Sequence, residues 1–280
     1  MTLNLDANFN PFQNEQEIQF EKFTFSGGEP HIKINPNFDI HKIVSISHRL
    51  NSFEDLGLLC LAVDALRGMG VKTIRAFIPY FPAARQDRVM VKGEPLSVKV
   101  YAEIINALQF DTVSVFDPHS EVTPALVNRC IVVPNHSFIK EVVSKTGRKT
   151  ILISPDGGAL KKIYKVSESL RGVEVIECSK TRDVKTGKLA GFKVYADDLQ
   201  GKDCLIVDDI CDGGGTFNGL AEELKNKNAG KLYLAVSHGI FSRGFDELAT
   251  YFEKIYTTNS FMDINHTCVI QTKLNYALLS

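Results

Sequence analysis

Residues 205–217 read LIVDDICDGGGTF. An apolar run ends in two adjacent carboxylates, Asp208 and Asp209; Asp212, three successive glycines and Thr216 follow, then a helix-like run, NGLAEELKNK. Such an order suits the holding of a phosphorylated sugar. Gly213, Gly214 and Gly215 remove the Cβ atoms that would stop a backbone from closing around a phosphate. A helix behind them offers unpaired N–H groups and the positive end of its dipole. Thr216 adds a hydroxyl donor, and Asp208 and Asp209 are acceptors for two sugar hydroxyls, directly or through a divalent cation. The run is neither a Walker loop nor a dinucleotide fingerprint: it lacks Gly-Lys-Ser/Thr, and its glycines are consecutive. GGGT alone is read most simply as a glycine-rich turn with Asp caps. The apolar run, the Asp pair and the glycines together favour a sugar-phosphate site.

The elements that must position these residues alternate between strand-like and helix-like, which predicts an α/β protein. KIVSIS (42–47) reads as a buried strand, and Ser52 caps a helix from about Phe53 to Gly68. VKTIRAFIPY (71–80) is the next strand, Ser97 to Leu108 the next helix, and TVSVF (112–116) the strand after it. Cys130–Val133, Thr150–Ile153, Val173–Glu177, Asp203–Val207 and Lys231–Val236 are further short apolar runs, with helical patterns between several of them, as parallel crossovers require. The first forty residues differ: strand-like pieces separated by Pro, Asn and Gly predict an antiparallel β appendage. A domain boundary is placed near Pro134–Asn135, giving domains 1–134 and 135–280. VSVFDPHS (113–120) and LIVDDICD (205–212) both end an apolar strand in acidic residues, as two similar α/β units would.

Bulk composition sets the frame. A chain of 280 residues, 44% hydrophobic and 23% charged, builds two soluble domains without disulfides or a structural metal. A net charge of -1 provides no global field to draw in nucleic acid, and the apolar stretches are too short to span a bilayer. The six cysteines form no C-x-x-C pair and read as buried free thiols. With no secretory leader at Met1–Asn10, the expected setting is cytoplasmic.

The run at 205–217 resembles the phosphoribosyl-diphosphate signature of type I phosphoribosyltransferases and their relatives. In that family the loop holds the 5-phosphate and the acidic pair contacts ribose hydroxyls. The resemblance therefore assigns Asp212, Gly213, Gly214, Gly215 and Thr216 to the phosphate, and Asp208 and Asp209 to the hydroxyls. Other segments, in family order over about residues 20–260, resemble the ribose-phosphate pyrophosphokinases. IPYFPAARQDR (78–88) is similar to their ATP-contacting segment and implies Arg85, Gln86 and Asp87 as nucleotide contacts. FDPHS (116–120) resembles the segment with a metal-associated histidine, here His119, also an ATP contact. ISPDGGALKK (153–162) resembles a second loop whose aspartate, Asp156, binds magnesium. CSKTRD (178–183) resembles the segment bearing the catalytic Lys-x-Arg, Lys180 and Arg182, and SHGIFS (237–242) matches another recurrent segment. FTFSGGE (23–29) resembles the flag loop, with Phe25 stacking on adenine and Glu29 accepting a hydrogen bond from it; the family usually carries Asn where Gly27 stands.

Each of these residues has a plainer alternative. Arg85 gives a rigid fork of donors for phosphate oxygens, or an ordinary surface ion pair with Asp87 or Glu94. Lys180 and Arg182 suit charge building on a transferred group, or belong to a solvated basic loop. Mg²⁺ prefers oxygen, so Asp156 is the better direct ligand and His119 suits a metal-bound water or a phosphate; Asp156 otherwise caps a turn or helix. Phe25 is a packed aromatic beside a hairpin turn in the plainer view.

The resemblance implies two phosphoribosyltransferase-like α/β domains, each a mainly parallel sheet flanked by helices, with an N-terminal β flag. It implies transfer of the β,γ-diphosphoryl group of ATP to the anomeric hydroxyl of ribose 5-phosphate, Mg²⁺ as cofactor, and a homo-oligomer with shared active sites. Three rivals stand beside it: the same transfer to a larger acceptor such as ADP-ribose, a phosphoribosyltransferase, and a non-catalytic regulatory homologue.

Overall fold

The computed structural model describes residues 1–147, 150–182 and 189–278. The chain divides into two units, Met1–Pro134 with Lys273–Ser280, and Asn135–Thr272. In the first unit the elements are β1 (Thr2–Asn4), β2 (Phe20–Thr24), β3 (Pro30–Ile34), β4 (Val44–Ser47), α1 (Phe53–Gly68), β5 (Ile74–Ile78), α2 (Ser97–Ala107), β6 (Thr112–Phe116), α3 (Val122–Leu126) and β7 (Cys130–Val133). The strands form a five-stranded parallel sheet in the order β1-β4-β5-β6-β7, and β2 and β3 pair separately as an antiparallel hairpin.

Helix α1 starts where the sequence predicts. Ser52 Oγ accepts from the Asp55 N–H at 3.1 Å and donates to Asp55 Oδ2 at 2.8 Å, a reciprocal cap. Leu56, Leu59, Ala62, Val63 and Leu66 recur at helical spacing, and all are buried in the core with Ile46, Ile74 and Ala76 of the sheet. Each such aliphatic burial contributes about 1.5–3 kcal/mol.

The second unit contains α4 (His136–Thr146), β8 (Ile151–Ser154), α5 (Gly157–Ser169), β9 (Val175–Arg182), β10 (Leu189–Val194), β11 (Cys204–Cys211), α6 (Gly215–Asn226), β12 (Leu232–Gly239), α7 (Asp246–Tyr251), β13 (Lys254–Thr258) and β14 (Val269–Thr272). Its sheet has seven strands in the order β10-β9-β8-β11-β12-β13-β14, parallel except at the β10–β9 edge. Alternate residues of the central strand serve opposite faces. Leu205 and Val207 pack with Phe138, Ile139 and Val142 of α4 and Ile163 of α5. Cys204 and Ile206 pack with Phe217, Leu220 and Leu224 of α6. Helices on both faces are what a parallel sheet needs, and they explain the near-continuous apolar run before Asp208.

Three expectations need correction. The first forty residues are not wholly an antiparallel appendage. Thr2–Asn4 pairs in parallel with Ser45–Ser47 as the edge strand of the main sheet, because Leu3 and Leu5 are fully buried there. The chain does not stay in the second unit to its end. Leu274 is buried and the Tyr276 ring packs tilted against Phe12 and edge-on against Phe77, at 5.1 and 5.2 Å, so the described residues from Lys273 onward belong to the first unit and not to the second. Tyr276 Oη also lies 2.8 Å from Ser114 Oγ. Finally, the strand expected at Val173–Glu177 runs on to Arg182, so Lys180 sits on a strand instead of a loop.

His48, just past β4, is 3% exposed, and neither ring nitrogen has a hydrogen-bond partner among the described residues. Its Nε2 is 3.7 Å from Asp55 Oδ1, beside the Arg49–Asp6 ion pair. Burial pushes its pKa from 6.5 down to about 4 although Asp55 and Asp6 pull it upward. A neutral buried histidine contributes stability above pH 6.5 that is lost as the pH falls toward 4, because the unfolded chain takes up the proton first. Asp6, whose pKa is lowered, loses its contribution in the same direction but only below its ordinary 3.8. His48→Gln is therefore expected to flatten the loss of stability between pH 6.5 and 5, an effect of about 2 kcal/mol. Thermal unfolding of both proteins at several pH values checks it; parallel curves would refute it.

Candidate active site

In the second unit the candidate residues gather at the carboxyl ends of neighbouring strands. Asp156 follows β8, Lys180 lies near the end of β9, Asp208 and Asp209 lie in β11, and Asp212 follows it. From β8 the chain moves to β9 on one side, while β11 and β12 lie on the other, so the order switches between β8 and β11. Ligands of open α/β sheets bind at that kind of switch point.

The carboxylates are held differently. Asp156 Oδ1 accepts from the Gly158 and Ala159 N–H groups at 2.9 and 3.1 Å, capping α5. Its Oδ2 takes Lys180 Nζ at 2.7 Å. Burial alone would raise the Asp156 pKa, but Lys180 and the two backbone donors together hold it below 3.8. Asp208 has the opposite fate. Its Oδ1 accepts the Asp209 N–H at 2.9 Å, yet burial first, and then the charge of Asp209, hold its carboxyl well above the usual carboxylate range. Asp156 adds to that upward push. Burial and mutual repulsion thus disfavour a full charge on both members of the acidic pair, and a cation or a hydrogen-bond donor from a sugar would favour it.

The glycine loop is built as a cradle at a helix start. Gly214 adopts φ 79°, and its carbonyl accepts from Phe217 and Asn218 at 2.9 and 3.0 Å to open α6. The first turn leaves N–H groups unspent. A Cβ at Gly214 would lie 3.2 Å from Leu248, and one at Gly213 would lie 3.3 Å from Arg243. Ser242 Oγ donates to Asp212 Oδ1 at 2.6 Å, fixing the loop's entry. Thr216 stands half-exposed on the first turn of α6. Arg182 ends β9, and its side chain lies outside the described residues, as do residues 183–188.

In the first unit, Arg85, Gln86 and Asp87 follow β5 and His119 follows β6. Both strand ends bend through left-handed residues, Ala83 at φ 55° and Asp117 at φ 39°. These strained turns bring the two segments together. Burial would raise the Asp87 pKa, but hydrogen bonds from Ser120 and Arg88 and the charges of Arg88 and His119 lower it. Arg85 and Gln86 line a cavity of about 810 Å³ with Tyr80, Ala83 and the stacked pair Phe53–Tyr101, whose rings are 4.9 Å apart. That is ample for a nucleotide. Sequence reasoning missed Phe53, Tyr80 and Tyr101; Phe53 is 63% exposed, and only its stacking on Tyr101 marks it.

The hairpin β2–β3 carries Phe25, 53% exposed, in an aromatic cluster with Phe23 and His31. Phe25 and Glu29 close its turn through a 2.8 Å backbone hydrogen bond. The Glu29 carboxylate lies over Gly27, where a Cβ would come within 2.5 Å of Oε2, so Glu29 occupies the space an Asn would take. Among the described residues no cluster of three or more His, Cys, Asp or Glu side chains is arranged to hold a metal ion. No described helix is long and apolar enough to cross a membrane.

Family models match two stretches: the N-terminal domain of ribose phosphate pyrophosphokinase over residues 14–108, and the phosphoribosyl transferase domain over residues 135–276. A ribose-phosphate pyrophosphokinase of Thermococcus kodakarensis is 32% identical over 241 residues, covering 83% of this chain and 84% of that protein. The chain belongs to the ribose-phosphate pyrophosphokinase family. The Pyrococcus furiosus pyrophosphokinase is similar to it at 30% identity over 242 residues, covering 84% of each chain. A phosphoribosylpyrophosphate synthetase from Mycobacterium smegmatis shares the fold, with a TM-score of 0.83 over 100% of this chain and 96% of its own, at 21% identity. The expected α/β architecture of a pyrophosphokinase, an N-terminal domain followed by a phosphoribosyltransferase domain, is thereby established.

The raised pKa of Asp208 makes a prediction for this pyrophosphokinase. A carboxyl raised in the folded state favours folding below its ordinary 3.8 and loses that contribution as the pH rises. Asp208→Asn is therefore expected to raise the Tm of the empty protein at pH 7.5, with the gain shrinking toward pH 4. An unchanged or lower Tm at pH 7.5 would argue that the carboxylate is already neutralised within the fold.

Proposed function

We propose that the chain transfers the β,γ-diphosphoryl group of ATP to the anomeric hydroxyl of ribose 5-phosphate, giving 5-phosphoribosyl 1-diphosphate and AMP. The observation that carries the reading is the switch-point edge of the second sheet. There a buried, mutually repelling acidic pair, a helix-opening glycine loop and a lysine lie on or after neighbouring strands of a pyrophosphokinase-family chain.

The acceptor is held by the second unit. Asp212–Thr216 bind its 5-phosphate through backbone N–H groups and the Thr216 hydroxyl, and Asp208 and Asp209 accept from ribose hydroxyls. The nucleotide is held by the first unit, with Arg85 and Gln86 on its cavity wall, Asp87 and His119 beside it, and Phe25 and Glu29 on the hairpin for the base. The anomeric oxygen attacks the β-phosphorus, the bond from that phosphorus to the oxygen bridging to the α-phosphate breaks, AMP leaves, and the hydroxyl proton is released. The assigned residues include no nucleophile: they orient the reactants and neutralise charge. Lys180 and Arg182 meet the charge that builds on the transferred group.

Mg²⁺ fits the oxygen donors of Asp208 and Asp209, whose mutual repulsion it would relieve. Both oxygens of Asp156 are engaged, so a cation there would share it with the helix cap and compete with Lys180. When bound, Mg²⁺ would offset the negative charge of ATP. The exposed Phe23 and Phe25 support a homo-oligomer whose hairpins serve neighbouring copies, and six free cysteines support a reducing, cytoplasmic setting.

The test follows AMP from ATP and Mg²⁺ with a panel of ribose 5-phosphate, ADP-ribose and ribose. Ribose 5-phosphate is expected to exceed the others by at least about tenfold in kcat/KM. Preference for ADP-ribose would move the assignment to the larger acceptor, and no AMP from any acceptor would favour a regulatory role. Lys180→Ala is expected to lower kcat about 100-fold while both Michaelis constants stay within about threefold, since the charge it meets peaks in the transition state. Weakened binding of both substrates with kcat intact would contradict that role.

A further inference from the structure

We infer that Arg243 binds the 5-phosphate of the acceptor and supplies the cation that the glycine loop lacks. The inference rests on the sugar-phosphate reading of that loop. Residues 208–216 contain three carboxylates and neither lysine nor arginine. A phosphate dianion entering the loop meets backbone dipoles and a hydroxyl, but also the charge of Asp212 and of the pair at 208–209. Of the two basic residues on β9, Lys180 is tied to Asp156, and Arg182 is assigned above to the transferred group. A further cation is required for tight binding.

Arg243 is built into that place. After β12 the chain bends through Phe241, at φ 46° and buried, whose N–H donates to the Cys211 carbonyl at 3.1 Å. Ser242 is fixed twice on Asp212, by its N–H to the carbonyl at 3.1 Å and by its hydroxyl to the carboxylate at 2.6 Å. The next side chain therefore lies over Gly213: Cδ and Nε of Arg243 are each 3.3 Å from where a Cβ would stand. Gly244 at φ 73° closes the turn, with its N–H on the Phe241 carbonyl at 2.9 Å. The stem of Arg243 is thus held against the loop. Among the described residues its guanidinium has no hydrogen bond and no carboxylate within ion-pair distance, although Asp246 is three residues away and Asp212 is bonded to the neighbouring Ser242. A cation kept beside an acidic loop without a protein partner is a cation kept for a ligand. Gly213 then has a second reason to be glycine: it makes room for the arginine.

The experiment compares wild type with Arg243→Ala and Arg243→Lys. Arg243 is exposed, so the variants should keep the wild-type Tm in the absence of ligand. Arg243→Ala is expected to raise the Michaelis constant for ribose 5-phosphate about tenfold, with kcat and the ATP constant within about twofold. Arg243→Lys should recover part of the loss, and added salt should weaken acceptor binding less in the alanine variant than in wild type. An acceptor constant unchanged in Arg243→Ala, or an equal rise for ATP, would overturn the assignment. Protection against thermal unfolding by ribose 5-phosphate alone gives a readout independent of turnover. If wild type makes no AMP yet is protected, and Arg243→Ala is not, the phosphate contact stands while the diphosphoryl-transfer reading falls. If ribose 5-phosphate protects neither protein, the phosphate contact falls.

Discussion

Negative charge crowded at one sheet edge is the constraint around which the second unit is arranged. Asp156, Asp208, Asp209 and Asp212 stand at the ends of β8 and β11, and each needs some form of compensation. Asp156 has Lys180 and the start of α5; Asp212 has Ser242. Asp208 has the Asp209 N–H, which does not offset its burial or its neighbour's charge. This uneven distribution carries functional meaning. Groups that are already satisfied shape the loops, and the group left raised is the one with most to gain from a ligand. Replacing it should strengthen the fold and weaken the site, the expected opposition between stability and function.

Parallel sheets make this crowding possible. Strands that run the same way present all their carboxyl ends on one edge, so loops distant in sequence share a location. The chain must then turn sharply as each strand stops. Ala83, Asp117 and Phe241 take left-handed conformations at three such ends, and Gly214 does so after a fourth. Non-glycine residues adopt these angles at a cost of order 1 kcal/mol, tolerated where the surrounding packing determines the turn. Phe241 shows how: its ring is buried in the core that also contains Phe217 and Leu248, and its turn delivers Ser242 and Arg243 to the loop.

What could be read from the sequence was local. The Ser52 cap and the spacing of Leu56, Leu59 and Leu66 specify α1 within a single turn pattern, and the glycines after Cys211 specify a cradle within ten residues. What could not be read depends on distant pairings. Strand β1 is three residues whose partner lies more than forty positions away. Strand β10 pairs antiparallel at an edge and needs no crossover pattern. The return of Leu274 and Tyr276 is visible only once Phe12 and Phe77 have made a place for them. The same division runs through the site. Asp208–Thr216 announce themselves, whereas Arg243 and the Phe53–Tyr101 pair have function-like positions only because separate elements fold against each other.

Asp156 illustrates how a plain reading and a functional one coexist. Its carboxylate is a helix cap, as an aspartate before two glycines commonly is, and capping contributes about 1 kcal/mol. Holding Lys180 is a separate matter. The two side chains are 25% and 30% exposed, so water screens their attraction, and the pair is worth on the order of 1 kcal/mol. An interaction of that size aims an ammonium without immobilising it. A phosphate chain with several negative charges would outcompete a single partly solvated carboxylate for Lys180, and Asp156 would keep its backbone donors if the lysine left. On the proposed reading the cap would make that exchange inexpensive: the aspartate would remain anchored while the cation it orients passed to the substrate.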